Sequence, residues 1–189
     1  MLETWCHQVL YARQVYPRDT FTATRFLGIA CFANRHPGVV SYISDTIQVA
    51  VPAFLSGSVN EISLVVMKDS FTISEIFTLT FSNLAQIEGE PHGLLEWLER
   101  GMRELVLSVL SLQGSPHERL GDDASFKLSM RTASDVDAYC PEITQAIKDG
   151  TWYRPNVDGS DQAQSARDRQ LHHISLPLCT LEMWCASGG

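Results

Sequence analysis

Lysine is nearly missing from this chain. Only three occur in 189 residues, and 14 lysines and arginines face 22 acidic residues, for a net charge of −8. A protein that tracks DNA phosphates needs a basic stripe, and none is visible. Direct nucleic-acid binding is therefore not expected, and any role on DNA runs through a protein partner. Long apolar runs are also missing. Nothing approaches the ~20 residues needed to span a bilayer, so no membrane association is expected. The first residues read as an acidic amphipathic helix rather than a signal peptide. That helix has almost no lead-in, which leaves room for a longer natural N-terminus.

Catalytic and metal motifs are missing too. No Walker loop, dinucleotide fingerprint, GxSxG elbow or HExxH helix occurs. The five cysteines, Cys6, Cys31, Cys140, Cys179 and Cys185, are odd in number and scattered, which fits a reducing compartment rather than a disulfide framework. His172, His173, Cys179 and Cys185 lack CxxC or HxxxH spacing, so neither a metal nor a cofactor is expected. A cysteine–histidine nucleophile pair is arithmetically available, but no local sequence supports it. A small cysteine hydrolase stands as the alternative of a different class; the main expectation is that the chain is not an enzyme.

What the chain does have is a globular composition, 44% hydrophobic and 19% charged, long enough for one domain with a sizeable core. Its most strongly patterned stretch is Leu94–Leu112. Leu94, Leu95, Leu98, Met102, Leu105, Val106 and Val109 recur at helical spacing over an arc of about 120°, the width of a core-facing stripe. The opposite face carries Glu96, Glu99, Arg100 and Arg103 around an apolar Leu107. The pattern makes this the helix around which the fold is organised.

Before it, residues 2–16 read as a helix with Leu2, Trp5, Cys6, Val9 and Tyr16 on one face, stopped by Pro17. Residues 18–35 read as a loop with room for a short strand at Leu27–Phe32. Pro37 suits the first turn of a second helix, 37–55. Val40, Ile43, Ile47, Ala50 and Phe54 form its expected buried stripe, and Pro52 is expected to kink it or end it early. Tyr42, Asp45 and Val49 point the other way. Glu61–Lys68 is apolar on both faces from Leu64 to Met67 and reads as a central strand. Asp69-Ser70 marks a turn. Phe71–Ser82 reads as the antiparallel partner strand, burying Phe71, Ile73, Phe77, Leu79 and Phe81. Residues 83–93 and 113–123 read as loops, Ala124–Thr132 as a third strand, and Ile143–Lys148 as a short segment of open type.

The tail breaks the pattern. Pro155–Gln170 has almost nothing to bury and reads as a linker. Leu171–Cys185 is apolar again and is expected to dock as strands on a sheet edge after that linker.

HQVLYARQVYP (His7–Pro17), HPGVVSYISDTI (His36–Ile47) and the spacing between them resemble the HORMA-domain accessory subunit of DNA polymerase zeta. The central helix, IKDGTW (Ile147–Trp152) and LEMW (Leu181–Trp184) resemble it as well. The resemblance implies an α+β fold, three helices on an antiparallel sheet, with a C-terminal safety belt. The whole chain, 1–189, would be a single HORMA domain, with a core at 1–152 and a belt from about 153 to 189. It implies a nuclear adaptor, with cytoplasmic residence also open, that clasps a peptide of the polymerase zeta catalytic subunit and serves translesion synthesis. Tyr42, Asp45, Val49 and Trp152 would contact that peptide. Leu171, Glu182 and Trp184 would receive the C-terminal domain of a translesion polymerase scaffold, although an acid and a tryptophan stand where the family has an amide and a tyrosine. Arg103, with Leu107, would form a surface for HORMA homo- or heterodimers. The alternative within HORMA proteins is a spindle or meiotic checkpoint clasp with other clients.

Overall fold

A computed structural model of the chain describes residues 1–82, 94–114, 120–132, 144–145, 148, 169–175 and 180–187. The elements run α1 (Leu2–Ala12), β1 (Phe21–Phe26), β2 (Ile29–Asn34), α2 (Pro37–Leu55), β3 (Val59–Met67), β4 (Ile73–Ser82), α3 (Leu94–Ser111), β5 (Ser125–Thr132), β6 (Arg169–Ser175) and β7 (Thr180–Ser187). Strands β5-β3-β4-β7-β6 form one five-stranded antiparallel sheet, and β1-β2 form a separate hairpin.

Three helices and an antiparallel sheet are as the sequence implied, but the central helix is a different one. The organising element is α1 rather than α3. Leu2, Trp5, Cys6, His7, Gln8, Val9, Leu10 and Ala12 are all buried, so α1 is covered on nearly every side. It packs against α2, α3 and the β1-β2 hairpin. A helix buried all round has no polar face to produce a strong one-sided pattern. The strongest pattern therefore belongs to α3, which has one wet side: Leu105, Val106 and Val109 are fully buried while Arg103 and Leu107 are exposed.

Burial of α1 brings polar groups inside, and several of them find partners, whereas Trp5 Nε1 and Gln8 Oε1 have none among the described residues. The amide of Gln8 donates to the Phe32 carbonyl, and His7 Nδ1 accepts the Asn34 N–H at 3.4 Å. Burial holds His7 below its ordinary 6.5, in the neutral form this contact requires. Arg13, just past the helix, forms a fork with Glu75 of β4: Nε–Oε2 is 2.6 Å and Nη2–Oε1 is 3.0 Å. Its Nη1 donates to the Leu112 carbonyl at 2.9 Å, and its guanidinium lies 5.4 Å from the Phe77 ring centre. One side chain thus ties α1 to β4 and to the end of α3.

Several local expectations are revised. The first helix ends at Ala12 rather than at residue 16, because Gln14 turns to φ 54°. Residues 21–34 form a hairpin, not a loop. Its two central residues, Leu27 and Gly28, both have positive φ, 48° and 83°, the handedness that matches strand twist. Leucine is an uncommon first residue for such a turn, which hid it in the sequence. In α2 the buried member of the first turn is Val39, at 9%; Val40 is 40% exposed. The helix also runs past Pro52 to Leu55, and Pro52 still contributes its carbonyl to Ser56 N–H. Phe71 is 94% exposed and lies outside β4. Asp69 Oδ1 accepts the N–H groups of Phe71 and Thr72, both at 2.8 Å, so the turn extends through Phe71.

The rest of the sheet has one dry face. Ile62, Leu64 and Val66 of β3 pair in register with Leu79, Phe77 and Glu75 of β4, and with Met130, Leu128 and Phe126 of β5. Ile62, Leu64, Val66, Phe77, Leu79 and Leu128 belong to the core with the helices. The other face carries the Ser63–Thr78 hydroxyl pair at 2.9 Å and the Glu61–Arg131 ion pair at 3.5 Å. The C-terminal strands dock as expected: β7 pairs with β4 from Glu75↔Ser187 to Ser82↔Thr180, and β6 pairs with β7. Arg169 and Gln170, read as linker, already belong to β6. The rest of Pro155–Gln170, half of Ile143–Lys148, and residues 83–93 lie outside the described residues.

Candidate functional site

The site is built at the open edge of the sheet. β5 is bonded to β3 on one side and to no other described strand. In an antiparallel pair the N–H and C=O groups of alternate residues point outward. Leu128 stands opposite Leu64, and its N–H is taken by the hydroxyl of Tyr42 at 3.0 Å. That contact identifies Phe126, Leu128 and Met130 as the residues whose backbone groups face the edge. Their side chains turn to the helical face, where α2 and the end of α1 meet them.

An aromatic cluster lines this edge. The Phe126 ring lies 5.5 Å from Tyr42 and 6.2 Å from Tyr16, both in edge-to-face geometry. Tyr16 comes from the turn that Pro17 closes, and burial pushes its phenol above the usual range. Tyr42 comes from the second turn of α2. The entry of that helix is held by Asn34, whose Oδ1 accepts His36 N–H at 2.8 Å and whose Nδ2 donates to Thr20 Oγ1 at 3.1 Å. Three segments far apart in sequence therefore converge on one strand edge.

Tyr42, at 40% exposure, and Asp45 lie on the open side of α2, as helical geometry required. Val49 is half-buried against the core rather than fully outward. Trp152 lies outside the described residues. Leu171 falls in the β6 irregularity between Gln170 and His172. Glu182 is in register with Thr80, and Trp184 with Thr78, at the far side of the sheet from β5. Arg103 and Leu107 are exposed on α3, with Leu107 at 52%. The structure thus places the three groups of candidate residues at separate locations. Sequence reasoning missed Phe126, Tyr16 and the Leu128 N–H. Their only sequence signal was strand alternation and a Tyr-Pro stop, neither of which reveals what they face.

The hydrolase alternative finds nothing in the two cysteines whose surroundings are described. Cys6 and Cys31 are buried, and burial pushes both thiols up, away from thiolate. Among the described residues no cluster of three histidine, cysteine or acidic side chains could hold a metal. No described helix is long and apolar enough to cross a membrane.

Residues 1–92 match the HORMA domain family. The DNA polymerase zeta processivity subunit of Schizosaccharomyces pombe is 29% identical over 90 residues, covering 48% of this chain and 41% of that protein. The mitotic spindle assembly checkpoint protein MAD2B of Gallus gallus is 26% identical over 153 residues, or 80% of this chain and 71% of the relative. The human protein of that name is 23% identical over 151 residues, with the same shares. The fold matches a chain of the mitotic checkpoint complex with TM-score 0.70 at 15% identity, over 98% of this chain and 89% of that one. It matches C. elegans HTP-2 bound to the HIM-3 closure motif with TM-score 0.64 at 18% identity, over 98% and 86%. These relatives are named as a polymerase subunit and checkpoint proteins. The likeness to the HORMA domain family covers residues 1–92, just under half of the chain.

Proposed function

We propose that this protein is a translesion-synthesis adaptor that clasps an extended peptide of the polymerase zeta catalytic subunit along the open edge of β5. The observation that carries the reading is the edge itself. A strand edge beside an aromatic cluster, with no further described strand paired to it, is what strand addition uses: main-chain pairing gives affinity and side-chain pockets give selectivity. Topology supports it. The chain leaves β5 at one edge of the sheet and re-enters as β6 at the other, four strand spacings or about 19 Å away. Residues 133–168 connect these points and could extend to roughly 120 Å, ample to pass around an added strand. On this reading 1–152 is the core, about 153–189 is the belt, and Tyr42, Asp45, Val49 and Trp152 touch the client.

The polymerase branch is favoured by the match to the fission-yeast subunit, and a nuclear location goes with it. Checkpoint clients are the second reading, supported by the name of the chicken and human relatives. The test is a set of overlapping peptides from the zeta catalytic subunit, titrated by fluorescence anisotropy beside closure-motif peptides of checkpoint type. Micromolar or tighter binding to a zeta segment is expected. Binding confined to checkpoint peptides would move the assignment to the second reading. Binding to neither would remove the clasp.

Two further surfaces belong to the proposal. Leu171, Glu182 and Trp184, across the sheet from β5, would receive the C-terminal domain of a translesion polymerase scaffold and so bridge it to the client. Arg103 and Leu107 would carry self-association with a second HORMA protein. Arg103 is exposed on the wet side of α3, so Arg103→Ala is expected to weaken self-association and leave the thermal midpoint unchanged. Sedimentation velocity over a concentration series measures this. Unaltered association in a folded variant would exclude that face.

A further inference from the structure

The Tyr42 hydroxyl occupies the place where a client strand would bond. A neighbouring strand runs about 4.8 Å from β5 and must present a carbonyl to each outward N–H. The Tyr42 oxygen lies 3.0 Å from the nitrogen of Leu128, inside that lane and on the middle one of the three outward-facing positions. Its ring is held there by the edge-to-face contact with Phe126. One N–H has one strong acceptor site, so the phenol and a client carbonyl compete for it.

We infer that Tyr42 is a latch: its hydroxyl caps the β5 edge while the groove is empty and must release the Leu128 N–H before a client strand can pair there. The inference rests on the β5-edge reading above and adds a separate role for the two parts of one side chain. The ring is an anchor for the client, and the hydroxyl is a competitor of it. The latch also guards the empty state. An open edge is a template for unwanted pairing with other chains, and a capped central N–H interrupts it. The geometry gives Tyr42→Phe and Tyr42→Ala opposite effects on binding, which a plain contact residue would not show.

The test has one arm without client and one with it. In the free protein, amide hydrogen exchange at Leu128 is expected to be faster in Tyr42→Phe by roughly three- to tenfold, the loss of one ordinary hydrogen bond. Lys127 and Ser129, whose backbone groups face β3, should be unchanged. In the second arm, the tightest peptide of the zeta series is followed by stopped-flow fluorescence. Tyr42→Phe is expected to raise its association rate and affinity by about the same factor, whereas Tyr42→Ala lowers affinity because the ring is gone. Unchanged exchange at Leu128 overturns the latch. So does an unchanged or slower association in Tyr42→Phe. If no peptide binds either protein while the exchange contrast holds, the client reading fails and the edge cap is upheld.

Discussion

Arg13→Ala will lower folding stability by about 3–5 kcal/mol, more than any surface change in this protein. The Arg13 side chain is 4% exposed and that of Glu75 is 16% exposed, so the fork between them is shielded from water. Removing the arginine withdraws the opposite charge from a shielded carboxylate, and it removes the donor to the Leu112 carbonyl that joins α1 to the end of α3. The size of the loss comes from taking the opposite charge away from a shielded acid rather than from the pair's own net strength. A companion variant separates the two. Arg13→Met with Glu75→Leu removes both charges at similar volume and should recover most of the loss. Chemical denaturation of the three proteins measures this. A single mutant within about 1 kcal/mol of the parent would mean the pair is solvated in solution and does not hold α1 in place.

Deleting residues 169–189 will abolish retention of the client while the helical core still folds. The deletion removes β6 and β7, so β4 loses its partner from Glu75 to Ser82 and replaces the shorter β6 as an edge of the sheet. Without re-entry of the chain beside β4, nothing closes the path around a strand added to β5. The loss should fall on dissociation, since related complexes differ mainly in their off-rates, and a drop in residence time of about 100-fold or more is expected. The exposed β4 edge should also raise concentration-dependent association, as long unpaired strands do. Competition kinetics with excess unlabelled peptide reads the first effect, and light scattering reads the second. A truncated protein that folds and releases peptide at the parental rate would show that the β5 edge alone holds the client. The hairpin would then be a structural cover and not a belt.

Both predictions depend on contacts that local patterns do not contain. Arg13 lies in a stretch that reads as the end of a helix, and Glu75 interrupts an apolar alternation in β4. Their pairing follows only once α1 is laid across the sheet. The same is true of Tyr42. Helical geometry turns it away from Ile43 and Ile47, and the structure agrees, but turning away from one core does not mean facing water. The β5 edge lies there, and Tyr42 both packs on Phe126 and bonds to Leu128.

The sequence by itself determined the elements whose faces differ in polarity. α3, with Leu105, Val106 and Val109 on one side and Arg103 and Leu107 on the other, was legible because solvent contrast writes a period into the residues. β4 and β5 were legible for the same reason, as was α2 from Pro37 onward, whereas β3 was legible as an apolar run on both faces. The apolar stretch after Pro155–Gln170 required a docked tail, and β6 and β7 provide it. Tertiary structure alone decided the rest. It made α1 the centre, because a helix covered on all sides carries no period that distinguishes inside from outside. It made Leu27-Gly28 a turn, because strand pairing imposed a handedness that leucine does not advertise. It also decided which of the described strands lie at the edges of the sheet, since strand order is a property of the whole chain packed together and no window of sequence contains it.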